Sequence, residues 1–199
     1  MSNKKTLFII LTAIILFVIA GMGRHFYKPR ATSGQLEKLK SDYPALASYV
    51  DDVVKWENKL KESETRVESY ATLGLVWKWL ADQACNLKAP NCEKYYGDAL
   101  KIYEKAIEVT ERHNTLFLTN AGNMARYLKD YVKAEDYYKE AISVAPGDAS
   151  LYVTLAEIYE YDLKKTKEEI VALYDEGIKR MLDPRILEKS KEEYLERNK

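Results

Sequence analysis

The chain has 199 residues, enough for one domain and a tail, and its 31 basic and 31 acidic residues give a formal net charge of zero. This balance excludes a broadly basic surface, so no nucleic-acid partner is expected. The two cysteines have histidines only at distant positions in the sequence, which argues against a four-ligand zinc site, and no metal or other cofactor is expected.

The first 30 residues differ in composition from the rest. Residues 6–23 form a run of eighteen residues without a charge, directly after a short tail, 1–5. As a helix with a rise of about 1.5 Å per residue, such a run nearly spans a hydrocarbon core of roughly 30 Å. Arg24 and Lys28 after the run favour a single-pass transmembrane signal anchor, whereas the small residue Ala20 leaves a cleaved signal peptide as the alternative.

A spacer and a helical segment follow this run. Residues 24–42 contain Pro, Gly and Ser and predict a linker. Asp42 and Pro44 indicate the start of a helix, with an acidic cap and a proline in the first turn. Apolar residues then recur with helical spacing, which predicts that 43–76 is helical and leads into the next part of the chain.

A pattern that recurs about every 34 residues begins at Trp77. In each copy a large residue is followed four positions later by a small one, and a second helix places an aromatic residue four positions after its first packing residue. Two helices can cross closely only where small side chains lie at the crossing. The copies are Trp77, Ala81, Ala99, Tyr103 and Ala106; Leu118, Gly122, Ala134, Tyr138 and Ala141; and Tyr152, Ala156, Ile170, Tyr174 and Gly177.

This pattern resembles the tetratricopeptide repeat (TPR) family, including Pro146 at the family's closing position. The resemblance covers about half of the chain, residues 77–184. It implies an all-α fold, a right-handed superhelical stack of about three helical hairpins, here with flanking helices and an N-terminal transmembrane helix. The first repeat helix is expected from about 63 to 85, and the others at about 93–111, 114–127, 131–144, 148–161 and 167–181.

The copies depart from the family spacing at two loops. Six extra residues lie between the helices of the first copy, around Cys85 and Cys92, and two extra residues are expected in the turn 164–166. A bond between these cysteines would close a loop of eight residues and favour a domain outside the reducing cytosol. Two unlinked thiols are the alternative.

A last helix is expected in the C-terminal segment 185–199, after Pro184. Its apolar residues Ile186, Leu187, Tyr194 and Leu195 are predicted to cover the open end of the stack, because an uncovered repeat face is apolar. Docking of another subunit is the alternative role.

No catalytic motif is found in the sequence. The glycines are scattered rather than gathered in a phosphate loop, and neither Gly-x-Ser-x-Gly nor His-Glu-x-x-His occurs. His113 has no nucleophile beside it and is interpreted as a solvated turn residue. An enzyme and a small-molecule substrate are therefore not expected.

The resemblance instead implies a protein-binding groove, because the first helices of successive repeats line the concave face in this family. Asn120 and Asn123 carry amides that can both donate to and accept from a peptide backbone. The residues expected to face the groove are Lys78, Asp82, Asn120, Asn123, Arg126, Tyr127, Glu157, Glu160 and Tyr161.

These features favour a membrane-tethered adaptor of a bacterial type that binds a partner protein or peptide without catalysis. The structural alternative is a subunit of an envelope complex, such as a secretion, pilus or division assembly. Lys4, Lys5 and the terminal amine on one side of the apolar run match Arg24, Lys28 and Arg30 on the other, so these charges do not fix its orientation. The cysteine pair favours an extracytoplasmic C-terminal domain in the cell membrane.

Overall fold

The structure, a computed structural model, describes residues 31–63 and 66–199. Residues 33–199 form one compact unit. Every regular element in the described ranges is helical, which confirms the all-α prediction. The elements are α1 (Ser33–Asp42), a 3₁₀ turn (Pro44–Leu46), α2 (Ala47–Glu62), α3 (Val67–Asn86), α4 (Glu93–Val109), α5 (Thr115–Tyr127), α6 (Tyr131–Val144), α7 (Ala149–Glu157), a π-helical turn (Ile158–Leu163), α8 (Lys167–Arg180) and α9 (Arg185–Arg197).

Side-chain caps fix several of the helix starts that the spacing predicts. The Asn114 side chain accepts a hydrogen bond from the Leu116 N–H at the start of α5, at 3.0 Å. Thr166 and Glu169 form a reciprocal capping box at the start of α8. Each cap satisfies a backbone N–H that the first helical turn leaves unpaired, so the hairpins begin at defined residues.

The repeated residues are the residues that pack the hairpins. The large opening residues Trp77, Leu118 and Tyr152 are fully buried at equivalent positions of α3, α5 and α7. The aromatic residues of the second helices, Tyr103, Tyr138 and Tyr174, are also buried. The repeat pattern is thus a packing pattern, which explains why it could be detected in the sequence.

Gly122 lies at a close contact between α5 and α6 in the second hairpin. A Cβ atom at this position would lie 2.8 Å from Cε2 of Tyr138 and 3.4 Å from Cβ of Tyr137. The distance to Tyr138 is shorter than carbon atoms normally approach, so a side chain at this position would force α5 and α6 apart or displace the Tyr138 ring.

Tyrosine hydroxyls join neighbouring helices, which accounts for part of the high tyrosine content. Tyr137 of α6 donates to Glu104 of α4 at 2.8 Å, and Tyr159 of the π-helical turn donates to Glu135 of α6 at 2.9 Å. In each case the ring is buried while the hydroxyl reaches a carboxylate at the edge of the core. The tyrosines therefore combine packing with a polar link between hairpins.

The linker prediction for residues 24–42 needs correction in its second half. Ser33–Asp42 is a helix, in which Leu36 and Leu39 are buried on one side. Asp42 does not cap the next helix; it forms an ion pair with Lys38 of α1, and α2 begins only at Ala47. The linker prediction followed the Gly, Ser and Pro content of the segment. Leu36 and Leu39 are three positions apart, which is the spacing of residues on one side of a helix.

Two further expectations need adjustment at the C-terminal end. The first helix of the third copy continues as a π-helical turn, Ile158–Leu163, directly before the loop in which the extra residues were expected. In α9, Leu187 and Tyr194 are buried as predicted, but Ile186 is 63% exposed. Only part of the expected apolar set therefore covers the stack.

The predicted membrane helix, residues 6–23, lies outside the described residues. Within the described ranges, none of the helices combines the length and the apolar character needed to span a bilayer.

Candidate functional site

The candidate groove begins at an ion pair on α3. The Lys78 ammonium lies 2.6 Å from an oxygen of Asp82, and both side chains remain partly exposed. The other oxygen of Asp82 accepts a hydrogen bond from the Tyr96 hydroxyl of α4 at 2.7 Å. Burial raises the pKa of Tyr96, and the hydrogen bond to Asp82 raises it further, so the Tyr96 hydroxyl stays protonated and acts as the donor.

Tyr96 connects this pair to the second hairpin. Its ring stacks on the ring of Tyr127 from α5, with centroids 4.7 Å apart and planes inclined by 14°. The Lys78 ammonium lies 5.7 Å from the centroid of Tyr127, within the range of a cation–π interaction. Lys78, Asp82 and Tyr127 were predicted from the sequence and are brought together, whereas Tyr96 was missed because it lies on a second helix.

The Asn123 side chain already forms a hydrogen bond within the domain. Its side-chain oxygen accepts a hydrogen bond from the Tyr138 hydroxyl at 2.8 Å. Burial raises the pKa of Tyr138 to about 12, so this hydroxyl also remains a donor at neutral pH. Asn120 lies one turn before Asn123 on α5 and is half-buried. The two amides share one side of the helix, as expected for residues three positions apart.

Arg126 joins the second and third hairpins. Its Nε atom lies 2.5 Å from Asp162, in the π-helical turn, and its guanidinium lies 3.6 Å from Glu157. Glu157 was predicted at the site, whereas Asp162 was not. The π-helical turn changes the direction of the side chains after Glu157, and this irregularity could not be read from helical periodicity.

Glu160 and Tyr161 complete the predicted set, but they make different contacts. Glu160 pairs with Arg197 at 3.1 Å and accepts from Asn198 at 3.3 Å, so it attaches the π-helical turn to the end of α9. Tyr161 is 49% exposed. The nine predicted residues thus form several groups along the hairpins, and Glu160 belongs to the contact with the terminal helix.

The charge pattern of these residues disfavours a carboxylate ligand. The two cations of the predicted set, Lys78 and Arg126, already have carboxylate partners in Asp82, Glu157 and Asp162. An incoming carboxylate would have to displace one of these partners and would meet the remaining acidic groups. The arrangement suits an uncharged or basic segment better.

Exposed apolar side chains on the same helices were not part of the predicted set. Leu75 and Trp79 lie one turn apart on α3 and are 37% and 45% exposed. Leu116 of α5, the equivalent of Leu75 in the second repeat, is also exposed. Their helical spacing from predicted residues is the signal that could have revealed them, because Leu75 lies three positions before Lys78 and Trp79 lies three positions before Asp82.

The cysteine pair lies at the edge of the first group. Cys85 and Cys92 form a disulfide, with Cα atoms 5.1 Å apart. Cys85 lies three residues after Asp82, near the end of α3, and Cys92 lies four residues before Tyr96. The bond therefore fixes the connection between the two helices that hold the Asp82–Tyr96 contact.

The anchoring of the π-helical turn is expected to depend on pH through Glu135. Burial opposes ionisation of this carboxyl, but hydrogen bonds from Lys139 and Tyr159 outweigh burial and lower its pKa. The ionised group therefore stabilises the fold above the usual carboxyl pKa, and this stabilisation is lost as the pH falls through the lowered value.

Glu135→Gln should reduce the free energy of unfolding by about 1 kcal/mol at pH 7, because the charge-assisted bond to Lys139 is lost. The difference from the wild type should shrink as the pH is lowered below 4.5, the ordinary value for this carboxyl. Urea unfolding at several pH values measures both quantities. Glu192→Gln, at an exposed carboxylate in the middle of α9, is the control and should change little; a pH-independent loss at Glu135 would contradict the prediction.

Comparisons with known proteins support the repeat architecture. No protein-family model matches the chain. A stretch of 68 residues, 34% of the chain, is 38% identical to the human cell division cycle protein 16 homolog and covers only 11% of that protein. The same identity and coverage are found for the mouse protein of that name.

Two solved structures share the fold at low sequence identity. TTC0263, a thermophilic TPR protein of Thermus thermophilus, has a TM-score of 0.54 and 18% identity, with 79% of this chain and 87% of that chain covered. The MamA protein has a TM-score of 0.51 and 18% identity, with 74% and 72% covered. The chain therefore has the helical-repeat fold of TPR proteins.

Proposed function

We propose that this chain is a membrane-tethered scaffold that binds a partner protein or peptide across the face shared by α3, α5 and α7, without catalysis. The observation that carries the proposal is the combination, on α3 and α5, of exposed apolar side chains with polar groups already held in place. Leu75, Trp79 and Leu116 offer apolar contact area, and the Lys78–Asp82 pair, on the same helix as Leu75 and Trp79, is held by a hydrogen bond from Tyr96. Preorganised groups lose little freedom when a partner binds.

The membrane part of the proposal rests on residues 6–23 and on the disulfide. As a helix, the apolar run of eighteen residues nearly spans a hydrocarbon core of roughly 30 Å. The Cys85–Cys92 bond supports an extracytoplasmic domain, because disulfides persist outside the reducing cytosol. A cleaved signal peptide would give the same compartment, and carbonate extraction of membranes distinguishes the two: an anchored chain stays in the pellet, whereas a processed one is released.

The binding face is tested by the double variant Trp79→Ser and Leu116→Ser in the full chain. Both side chains are partly exposed, so the fold should persist while capture of partner from a detergent extract of the source membranes falls at least tenfold. Val132→Ser is the matched control, because Val132 is 62% exposed on α6, a second helix of a repeat. Equal capture by wild type, double variant and control would refute this face as the binding site.

Exposed apolar residues near the C-terminus favour a second candidate, a permanent structural subunit. Leu182 is fully exposed and Ile186 is largely exposed, at the end of the stack where another subunit could pack. Sedimentation of the detergent-solubilised chain separates the candidates. A scaffold with a free binding face should be monomeric, whereas an isolated permanent subunit should self-associate through this end.

A further inference from the structure

A second apolar surface lies between the start of α7 and the terminal helix α9. It forms an open groove of about 870 Å³, within the size range of sites that bind small molecules or several peptide side chains. Val153 of α7, Met181 before α9 and Ile186 of α9 are among its lining residues. Ile186 is the residue of α9 that was expected to cover the stack and remains exposed.

The hydroxyl groups that line this groove are directed to nearby acceptors. Thr154 donates to the Ser150 carbonyl oxygen at 2.9 Å, and Ser190 donates to the Ile186 carbonyl oxygen at 2.9 Å. The Ser150 hydroxyl donates to the Asp148 carboxylate at 2.6 Å. These donors are already used, so the walls present mainly carbon to an occupant.

The charged groups that line the groove are all acidic. Asp148 and Asp183 are lining residues, and no lysine or arginine is among those that line it. Asp183 is paired with Arg185, whereas no described cation forms an ion pair with Asp148.

An anionic occupant does not fit this arrangement. The start of α7 would attract an anion through its free N–H groups, but Asp148 already accepts from the Ser150 N–H at 2.9 Å. A negative ligand would therefore face a carboxylate at that position. A cationic group beside Asp148 would instead gain a favourable charge interaction.

We propose that the groove between α7 and α9 binds an apolar side chain of a partner peptide that carries lysine or arginine next to it. This inference rests on the proposed function and assigns a sequence preference to one end of the binding face. The apolar side chain lies against Val153 and Ile186, and the adjacent cation lies beside Asp148.

The test uses the full chain in detergent and three fluorescent octapeptides. The first is Gly-Ser-Lys-Leu-Phe-Lys-Ser-Gly; the second has glutamate in place of both lysines; the third has serine in place of leucine and phenylalanine. Fluorescence anisotropy should show that the first binds at least tenfold more tightly than either of the others. Its affinity should also fall as salt is raised, because the contact with Asp148 is partly exposed.

Two substitutions test the placement of the peptide. Ile186→Ser should weaken binding of the first peptide at least fivefold. Asp148→Asn should weaken it several-fold and flatten the salt dependence, because asparagine keeps the helix cap and removes the charge. Leu182→Ser is the matched control, since Leu182 is exposed but does not line the groove; it should leave the affinity unchanged.

Equal binding of the three peptides, or binding that survives both Ile186→Ser and Asp148→Asn, would overturn the inference. Loss of peptide binding through dimerisation of the chain would also overturn it, by making a second copy the occupant. These outcomes are separate from the capture experiment with Trp79 and Leu116. That experiment can fail while the peptide preference holds, and the peptide preference can fail while the face formed by α3 and α5 still binds a partner.

Discussion

Gly122→Leu is expected to lower the free energy of unfolding by about 3 kcal/mol, at the upper end for overpacking of a well-filled core. Even the first added atom would lie 2.8 Å from the ring of Tyr138, and the rest of the leucine side chain has no space at this crossing. The Tyr138 ring cannot simply turn away, because its hydroxyl is bonded to Asn123. The expected loss corresponds to a lower melting temperature by about 2–4 °C per kcal/mol.

Gly97→Leu provides the matched control for this prediction. Gly97 also lies in the interior of a helix, α4, but apart from its chain neighbours and the nearby backbone of α4 itself, no heavy atom lies within 4 Å of a Cβ built there. Its replacement should leave stability unchanged or raise it by up to about 1 kcal/mol, because leucine favours the helix more than glycine does. Urea unfolding of both variants measures the contrast. Similar midpoints would show that α5 and α6 do not cross closely at Gly122.

The repeat architecture could be predicted because its packing residues recur at fixed spacing. Trp77, Leu118 and Tyr152 lie at the same position of successive hairpins, and each is fully buried. The small residues Ala81 and Gly122 mark the corresponding crossings. Burial requires a large side chain at the opening position and a small one at the crossing. The same sizes therefore recur in each repeat and can be detected in the sequence.

The candidate site was less predictable because its contacts cross between helices. Asp82 and Tyr96 are fourteen positions apart, and Tyr96 reaches Tyr127 in the next hairpin. Arg126 meets Asp162 only through the π-helical turn. No local spacing encodes such contacts, so the sequence predicted the face of the helices but not the partners of each side chain.

The burial of apolar residues near the two ends of the helical unit was also difficult to predict from the sequence. Leu36 and Leu39 form the buried side of a short helix in a segment whose composition predicts a linker. Ile186 and Leu187 were both assigned to the cap by their apolar character, yet only Leu187 is buried. Adjacent positions on a helix point in different directions, and a helix boundary or rotation that is uncertain by one residue exchanges their roles.

Replacing both Cys85 and Cys92 with serine is expected to lower the free energy of unfolding by about 2.5 kcal/mol. This value follows from the chain-entropy cost of a closed loop of eight residues. The same loss should follow when a reductant is added to the wild-type chain. Urea unfolding of both proteins, with and without reductant, measures the effect, and the serine variant should not respond to the reductant.

A second result is expected for the same serine variant, because the disulfide lies close to the binding face. Cys92 lies one turn before Tyr96, so loss of the bond should loosen the contact of Tyr96 with Asp82 and with the ring of Tyr127. Capture of partner should then fall in the serine variant even under conditions where it remains folded, because the binding face is less preorganised. Unchanged capture at full helical content would show that the first hairpin holds its face without the disulfide. In that case the bond would stabilise the domain alone, and its effect on binding would be confined to conditions near unfolding.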